Sequence, residues 1–538
     1  MYILSIHGNL GKAEHDPAAI LTLDNKIVAA AEEERFIRYK HAVGLMPDRA
    51  IQYCLDSEKI SMKEVDLVTF PRSTWEDFDE RFKAYLWYNF GHVPPIEYID
   101  HHTAHAASSF YISGFPSALI ITLDQSGDGL SGAVFRGSKN KIEIVDTIPF
   151  PHSLGLFAAF ITQYLGFRSN HDEYKVMGLS AYGRPNIDLS KIITFKKGDL
   201  WFNHDVLHPE VMKRHPVFHT DQLPMFNTEK YTFLPHRRLR GGKLTQGHKD
   251  LAASAQKVIE DAVLCLVKKY KKADDHYLCL AGGVSENSVV NGKLSSTNLF
   301  KDVYISPASS DAGSALGAGL YAATKRGFKF GRADSNKWGL AYSNDQILKL
   351  LLSYKIKYRF SDNIEEDVAR LLQQQKIVAW FQGRMEFGPR ALGARSLLAD
   401  PSNPEMKDRV NKIKKREEFR PFAPSVLDEQ ASLLFDTYQA SPFMSFTLST
   451  TKIGKQKLIS ATHVDFTSRL HTVKKDNSRY RKLIDNFYKL SGIPAVLNTS
   501  LNSSWEPIVE SPDQALGLFF SSETDILALG NYIISKHG

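Results

Sequence analysis

Short apolar runs, broken by turns that carry glycine, asparagine or aspartate, dominate the first 150 residues. Tyr2 to Ile6 reads as a strand and His7 to Asp16 as a loop; Ala18 to Leu23 and Ile27 to Ala31 form a hairpin about the Asp24-Asn25 turn. The order recurs from Ser117. A strand runs to Leu123, a turn covers Asp124 to Gly129, a second strand lies near Gly132 to Phe135, and after a polar turn at Gly137 to Asn140 comes Ile142 to Thr147. Farther on, Leu278 to Ala281 is an apolar strand ending in Gly282 and Gly283. Helical spacing in Ile347 to Leu352 and Ile364 to Gln374 then precedes a strand from Lys376 to Phe381.

A repeat of strand, glycine-bearing loop and hairpin predicts an α/β unit of the duplicated actin-like and sugar-kinase-like ATPase fold, whose opposed hairpin loops hold a nucleotide's phosphates. Two unrelated hairpins would leave the same local pattern. The stretch from Phe328 to Asp345 breaks the apolar periodicity with Gly, Ser, Asn and charge, which places a domain boundary there and divides the chain into 1–340 and 341–538.

Composition narrows the class. The 538 residues are enough for several cores, and 43% hydrophobic content is that of a globular protein. Sixty-seven Lys and Arg against 60 Asp and Glu leave a net charge of +7, small for this length, which argues against a nucleic-acid partner. Cys54, Cys265 and Cys279 are widely spaced among apolar residues and read as reduced core thiols. No apolar stretch approaches the roughly 20 residues that span a bilayer, and the N-terminus lacks a basic leader, so a cytoplasmic protein without a membrane partner is expected.

The candidate chemistry begins at Asp100-His101-His102-Thr103-Ala104-His105. Its alanines favour a helix, where His101 and His105 share a face and His102 points elsewhere. Two imidazoles so placed can hold one ion or simply be packed side chains. A zinc-protease motif is excluded, because His102 occupies the place of the required glutamate. Asp124 ends a buried strand and Asp311 precedes a small-residue helix, so both lie where α/β proteins form ligand clefts and could complete a metal site.

Gly282 and Gly283 allow close approach of a ligand, or make a tight turn. Glu173 and Lys175 could hold a ribose hydroxyl or form a surface ion pair. Behind Trp380 comes the densest chemistry: Arg384, Arg390 and Arg395 in a Gly- and Pro-punctuated loop, then Lys414, Arg416 and Arg420, then Asn498, Ser500 and Asn502 at the end of an apolar strand. Rigid donor forks suit phosphate oxygens, and the amides and hydroxyl suit a small polar acyl group.

These segments together resemble the carbamoyltransferase family of nodulation-factor, cephalosporin and aminoglycoside O-carbamoyltransferases. The matching residues run nearly end to end: His15-Asp16, Glu32 to His41, the histidine pair, Lys175 to Leu179, Ala281 to Val284, Ser310 to Gly313, Phe387 to Gly393 and Arg416 to Pro424. The resemblance implies a Kae-like domain of actin-like ATPase fold followed by an α+β YrdC-like domain. It implies His101, His105, Asp124 and Asp311 as ligands of Fe(II) or another divalent ion. Glu173, Lys175, Gly178, Gly282, Gly283 and Asn287 would contact adenylate. Lys414, Arg416, Ser500 and Asn502, with Arg390, Arg395, Arg420 and Asn498, would hold carbamoyl groups and phosphates. The chain departs from the family at Leu501, at Ser503-Ser504-Trp505, at Phe466, where glycine is usual, and at His471, where glutamine is usual.

The expected reaction converts carbamoyl phosphate and ATP, with Mg, to carbamoyl-adenylate in the second domain. The first domain then passes the carbamoyl group to a hydroxyl of a small molecule, a natural product or sugar, with His15 assisting proton removal. Transfer to an amine, a threonylcarbamoyl-type tRNA modification and a non-catalytic nucleotide-binding module are the competing readings. The family also implies a homodimer. The stretch from Ile192 to Thr245, with His204, His208, His215, His219 and His236, is expected to shape the acceptor pocket, its histidines as surface groups.

Overall fold

Both hairpins form, and each is extended on its other side by two parallel strands. The structure is a computed structural model that describes residues 1–10, 15–72, 77–196, 199–207, 226–227 and 231–536. His208, His215 and His219 lie outside the described residues. In the first sheet β1 (Tyr2–His7), β2 (Ala18–Leu23) and β3 (Lys26–Glu32) make the antiparallel hairpin, and β4 (Leu67–Phe70) and β5 (Ile96–Tyr98) follow β1 in parallel, giving the order β3-β2-β1-β4-β5.

The second sheet repeats it. Here β6 (Ser117–Gly127), β7 (Leu130–Ser138) and β8 (Lys141–Pro149) are antiparallel; after a two-stranded ribbon of β9 (Ile193–Lys196) and β10 (Asp199–Phe202), β11 (Tyr277–Ala281) and β12 (Asp302–Ile305) add in parallel to β6. The order β8-β7-β6-β11-β12 has the connectivity of the first sheet, so the duplication is one of topology and the fold is the actin-like α/β type. The central strands are buried on both faces, as their continuous apolar runs require.

Each repeat closes with a helix, His101–Phe110 after β5 and Asp311–Lys325 after β12. Their small residues bring the two backbones together: a Cβ on Gly317 would lie 1.7 Å from the Ala104 carbonyl oxygen. The start of one helix therefore meets the start of the other beside β6.

The chain divides into two compact units, and not linearly. Met1–Glu33 with Ala42–Ala333 forms the first; Glu34–His41 with Asp334–Gly538 forms the second. The expected cut at residue 340 overlooks this exchanged segment. It is fastened by charge-assisted hydrogen bonds: Arg35 Nη2 donates to the Gly388 carbonyl at 2.8 Å, and Arg38 donates to the Pro507 and Ile508 carbonyls, each at 2.7 Å.

The second unit is α+β, as expected. Its nine-stranded mixed sheet contains β13 (Arg359–Phe360), β14 (Val378–Phe381), β15 (Arg395–Ala399), β16 (Ala423–Leu427), β17 (Phe446–Ser449), β18 (Thr467–Val473), β19 (Ala495–Ser500), β20 (Ile526–Leu529) and β21 (Tyr532–Ser535). The order is β13-β21-β20-β14-β15-β19-β16-β18-β17. Alternate residues Ala379, Phe381, Leu397, Ala399 and Leu497 pack with Ile413, Leu516 and Leu351 in a core on one face. By strand alternation Ser396 and Asn498 then turn to the opposite face. No described helix is long and apolar enough to cross a membrane.

Candidate functional site

The first unit's site is assembled at the paired helix starts. Asp100 caps the helix His101–Phe110 by accepting the Thr103 N–H at 2.8 Å, and the His101 N–H donates to Asp128 Oδ2 at 2.9 Å. That fixes both imidazoles on one face, their centroids 4.6 Å apart. Asp124 reaches them from β6 and Asp311 from the first turn of its own helix. His105 Nε2 lies 3.1 Å from Asp124 Oδ2 and 3.5 Å from Asp311 Oδ1; the corresponding separations for His101 Nε2 are 3.7 and 3.9 Å. Ligand atoms about 2.1 Å from a tetrahedral ion stand roughly 3.4 Å from one another, so the spacing is that of a first coordination sphere.

The donor set fits a divalent cation on a second count. His101 Nε2, His105 Nε2 and Asp124 Oδ2 are buried without a hydrogen-bond partner; even the 3.1 Å pair is not aligned to share a proton. Two imidazoles with two carboxylates suit iron, manganese or zinc better than an all-oxygen ion such as calcium. Electrostatics agree. Burial opposes charge on Asp124, yet both histidines hold its carboxyl well below the usual range, and Asp311 falls to about 2. Burial lowers His105, but the two carboxylates overcome it and raise the imidazole to about 9.

His102 points away, its Nδ1 2.9 Å from Thr122 Oγ1. His15 lies at the same carboxylates: its Nδ1 is 3.1 Å from Asp16 Oδ2, and against the cost of burial Asp16, Asp311 and Asp124 raise it to about 10. Sequence reasoning overlooked His7. At the end of β1, the counterpart of β6, its Nε2 approaches Asp311 Oδ2 to 3.9 Å and the His15 carbonyl to 3.2 Å. The signal was the repeat itself, since His7 ends the first strand much as Asp124 nears the end of its equivalent.

The glycine pair adjoins the cluster. Gly282, at φ +86°, would place a Cβ 2.3 Å from the Leu123 carbonyl, so only glycine lets the two strand ends meet there, and Gly283 follows with its own Cβ position 3.3 Å from Asp124 Oδ1. Glu173, Lys175 and Gly178 lie on the helix Glu173–Ser180, which abuts the helix Ser288–Ser295 where Met177 Sδ meets Ser288 Oγ at 3.8 Å. Glu173 accepts the Asn170 N–H at 2.6 Å, and buried Lys175 pairs with Asp172 at 3.1 Å. Asn287 caps the second helix and exchanges two hydrogen bonds with Gln256, so its amide is occupied by the protein.

In the second unit Lys414 ends the helix Met406–Lys414 and is only 3% exposed. Its ammonium donates to the Ser500 carbonyl at 2.5 Å, Ser500 Oγ at 3.1 Å and Asn502 Oδ1 at 2.6 Å, while Ser500 Oγ donates to Asn502 Oδ1 at 2.7 Å. Burial, then Arg416, Arg420 and Lys40, depress Lys414 well below the ordinary lysine range. A charge so crowded by like charges is relieved by an oxyanion. Arg416 is braced by Asn411 Oδ1 at 2.7 Å and lies over the Phe422 ring; Arg420 faces Glu417 at 3.7 Å.

Arg395 does not fit its expected role. It is fully buried, stacks 3.6 Å above the Phe381 ring and donates to the carbonyls of Gln382, Gly383, Ala394 and Leu340. The guanidinium is thus taken up by backbone carbonyls and holds the loop together. Arg390 is half-buried on the same loop. Trp505 and Phe466 are 65% and 56% exposed. His236 is engaged through its carbonyl by His248 Nε2 at 2.8 Å, and His204 lies in a short exposed turn.

Comparison with known proteins agrees with both units. Residues 8–89 and 88–320 match the carbamoyltransferase N-terminus family, and residues 369–536 match the carbamoyltransferase C-terminus family. Nodulation protein NolNO of Sinorhizobium fredii is 36% identical over 97% of this chain and 79% of its own. Nodulation protein NolO of Bradyrhizobium diazoefficiens is 38% identical over 81% of this chain and 79% of its own. An uncharacterized protein of Methanocaldococcus jannaschii is 33% identical over 97% and 98%. A likeness to full-length HypF in its phosphate- and nucleotide-bound form, at 13% identity and a TM-score of 0.35 over 60% of this chain and 55% of that one, is too slight to assign anything. The two-unit α/β and α+β architecture is that of a carbamoyl-transferring enzyme. The chain belongs to the carbamoyltransferase family.

Proposed function

We propose that the protein activates carbamoyl phosphate with ATP as carbamoyl-adenylate and transfers the carbamoyl group to a hydroxyl of a small molecule. The observation that carries this reading is Lys414, a buried cation crowded by Arg416, Arg420 and Lys40 beside Ser500 and Asn502. Nitrogen donation makes a carbamoyl carbon a poor electrophile, so transfer needs a good leaving group. The atoms balance with water: the phosphoryl group leaves carbamoyl phosphate as phosphate, the freed carbamate oxygen attacks the α-phosphorus of ATP, and pyrophosphate departs. Lys414 and Arg416 offset the charge that gathers when two anions meet.

The second step uses the first unit. The acceptor oxygen attacks the carbamoyl carbon, the bond to AMP breaks, and the acceptor proton passes to His15, which Asp16 orients and which a cation on Asp124 and Asp311, by offsetting the carboxylates that hold the imidazole protonated, would free to act as a base. A resident base suits a hydroxyl, which is unreactive until its proton is removed. A divalent cation, Fe(II) or a similar ion, held by His101, His105, Asp124 and Asp311, supplies Lewis-acid stabilisation of oxygen charge when bound. Gly282 and Gly283 lie beside Asp124 and suit the adenylate, with Glu173, Lys175 and Gly178 on the neighbouring helix. A cytoplasmic setting would supply carbamoyl phosphate and ATP.

The test incubates full-length protein with isotopically labelled carbamoyl phosphate, ATP, divalent metal and a panel of sugars and polyols. Label in an acceptor ester with stoichiometric AMP supports the reading; label transfer without AMP rejects the adenylate.

A further inference from the structure

The transfer step gives His7 no part, although the residue is buried inside the first unit's site. Strand alternation decides where it goes. Ile3, Ser5 and His7 share one face of β1, and that face packs along the helix Asp311–Lys325. Ile3 clusters with Ala322 and Ala323, and a Cβ on Gly319 would fall 2.2 Å from Ser5 Oγ. The next position of the row therefore meets the start of the helix, where His7 Nε2 lies 3.9 Å from Asp311 Oδ2. The residue is only 4% exposed, and on the adjoining β4 the Phe70 ring stands 6.3 Å from its own.

One hydrogen bond fixes what this imidazole can do. His7 Nε2 stands 3.2 Å from the His15 carbonyl oxygen, and a carbonyl only accepts, so Nε2 carries the proton. A nitrogen that holds a proton does not ligate a metal, so nearness to Asp311 does not make Nε2 an additional ligand. The bond acts on the chain instead. His7 pairs with Ala18 where β1 meets β2, and its side chain reaches across the mouth of the intervening loop to grip the backbone eight residues on. His15 is thereby held at two points, its carbonyl by His7 and its Nδ1 by Asp16 Oδ2 at 3.1 Å. With Nδ1 given to Asp16, Nε2 is the nitrogen of His15 that takes a proton from an acceptor.

Resting on the reading of His15 as the base, we propose that His7 is the positioning residue of the transfer step: it pins the His15 backbone beside Asp311, so that the base meets the acceptor oxygen next to the four candidate ligands. The acceptor proton moves to His15 Nε2, and His7 keeps its own proton throughout. His7 touches neither the acceptor nor the carbamoyl group. Its effect is geometric, and a base displaced by about 1 Å loses about 100-fold in rate.

The test is a double-mutant cycle on full-length protein with carbamoyl phosphate, ATP and divalent metal, glycerol as the probe acceptor, AMP release as the rate, and metal content after dialysis alongside. His7→Gln puts an amide N–H where Nε2 was, whereas the amide of His7→Asn is too short to reach the carbonyl; both are polar and of similar size, so folding does not separate them. The expected result is a kcat for AMP release about 30–100-fold lower in His7→Asn, with the KM for glycerol within about threefold and His7→Gln within about fivefold of wild type. Metal content stays unchanged in both. In a His15→Ala background His7→Asn costs less than about twofold more, because a positioning residue then has nothing to position. An equal cost in both backgrounds, no cost in His7→Asn, or loss of bound metal overturns the role of His7 and leaves the base reading intact. His15→Ala with wild-type turnover, or wild type that releases no AMP, overturns the base reading and the role of His7 with it.

Discussion

Gly127 and His101 touch: a methyl group on Gly127 would fall 2.1 Å from the His101 ring. The bulged end of β6 is therefore shaped around one imidazole. Gly127→Ala must push that ring off its face of the helix without altering any candidate ligand. Metal affinity is expected to fall about 10–100-fold, as when a supporting residue of a metal site is lost. Metal content per chain after dialysis, measured by mass spectrometry, checks it; full retention would mean that His101 is not a ligand.

Lys414→Met tests the anion site. Burial and neighbouring cations already disfavour the charge there, which offsets part of the loss of its hydrogen bonds to Ser500 and Asn502, so an apolar chain of similar length should lower stability by about 1–3 kcal/mol and leave the protein folded. Pyrophosphate release with carbamoyl phosphate and ATP is expected to drop about 100-fold or more. A coupled pyrophosphate assay beside a melting curve separates the two effects.

Arg38→Ala tests the exchanged segment. Two hydrogen bonds from a charged donor to the Pro507 and Ile508 carbonyls are lost, each worth about 1.5–3 kcal/mol at most. Faster amide exchange at residues 501–510, with the helix Arg479–Ser491 unaffected, is the expected signature.

Glu33 gives a pH dependence with a definite sign. Burial raises its carboxyl to about 7, although it accepts the Ala50 and Arg49 N–H groups at the start of the helix Asp48–Glu58. Between its ordinary value of 4.5 and about 7 the folded chain holds a proton that the unfolded chain releases. Stability should decline as pH rises through that window, by up to about 3 kcal/mol from this group. Glu33→Gln should remove the decline, so urea midpoints at pH 5 and 7.5 should diverge between variant and wild type. Parallel curves would contradict it.

Much of this was legible from spacing. A four-residue histidine interval on an alanine-rich helix and aspartates at element ends bring His101, His105, Asp124 and Asp311 within 4.8 Å, because helix periodicity and strand ends are local properties. The paired hairpins likewise foretold two sheets of one topology.

What escaped depends on long-range packing. Arg390 and Arg395 look alike in sequence, but β15 carries Arg395 inward over Phe381. Nothing local marks Glu34 to His41 as part of the second unit, since Arg38 finds its carbonyl partners hundreds of residues away. Phe466 stands out in the sequence only as a departure where glycine is usual. In the fold it is exposed at φ +62°, a left-handed conformation that explains why glycine is usual there, with Lys455 lying 4.1 Å over its ring. His471 is buried, and only the fold brings it to Ser425.

The central claim is that one chain divides activation and transfer between its units, and the most direct measurement is carbamoyl-adenylate itself. Wild type, Lys414→Met and His105→Ala are each incubated with carbamoyl phosphate and ATP without acceptor, and the products are quantified by mass spectrometry. Carbamoyl-adenylate from wild type and His105→Ala, with none from Lys414→Met, is the predicted result. Undiminished product from Lys414→Met, or none from wild type, would contradict it.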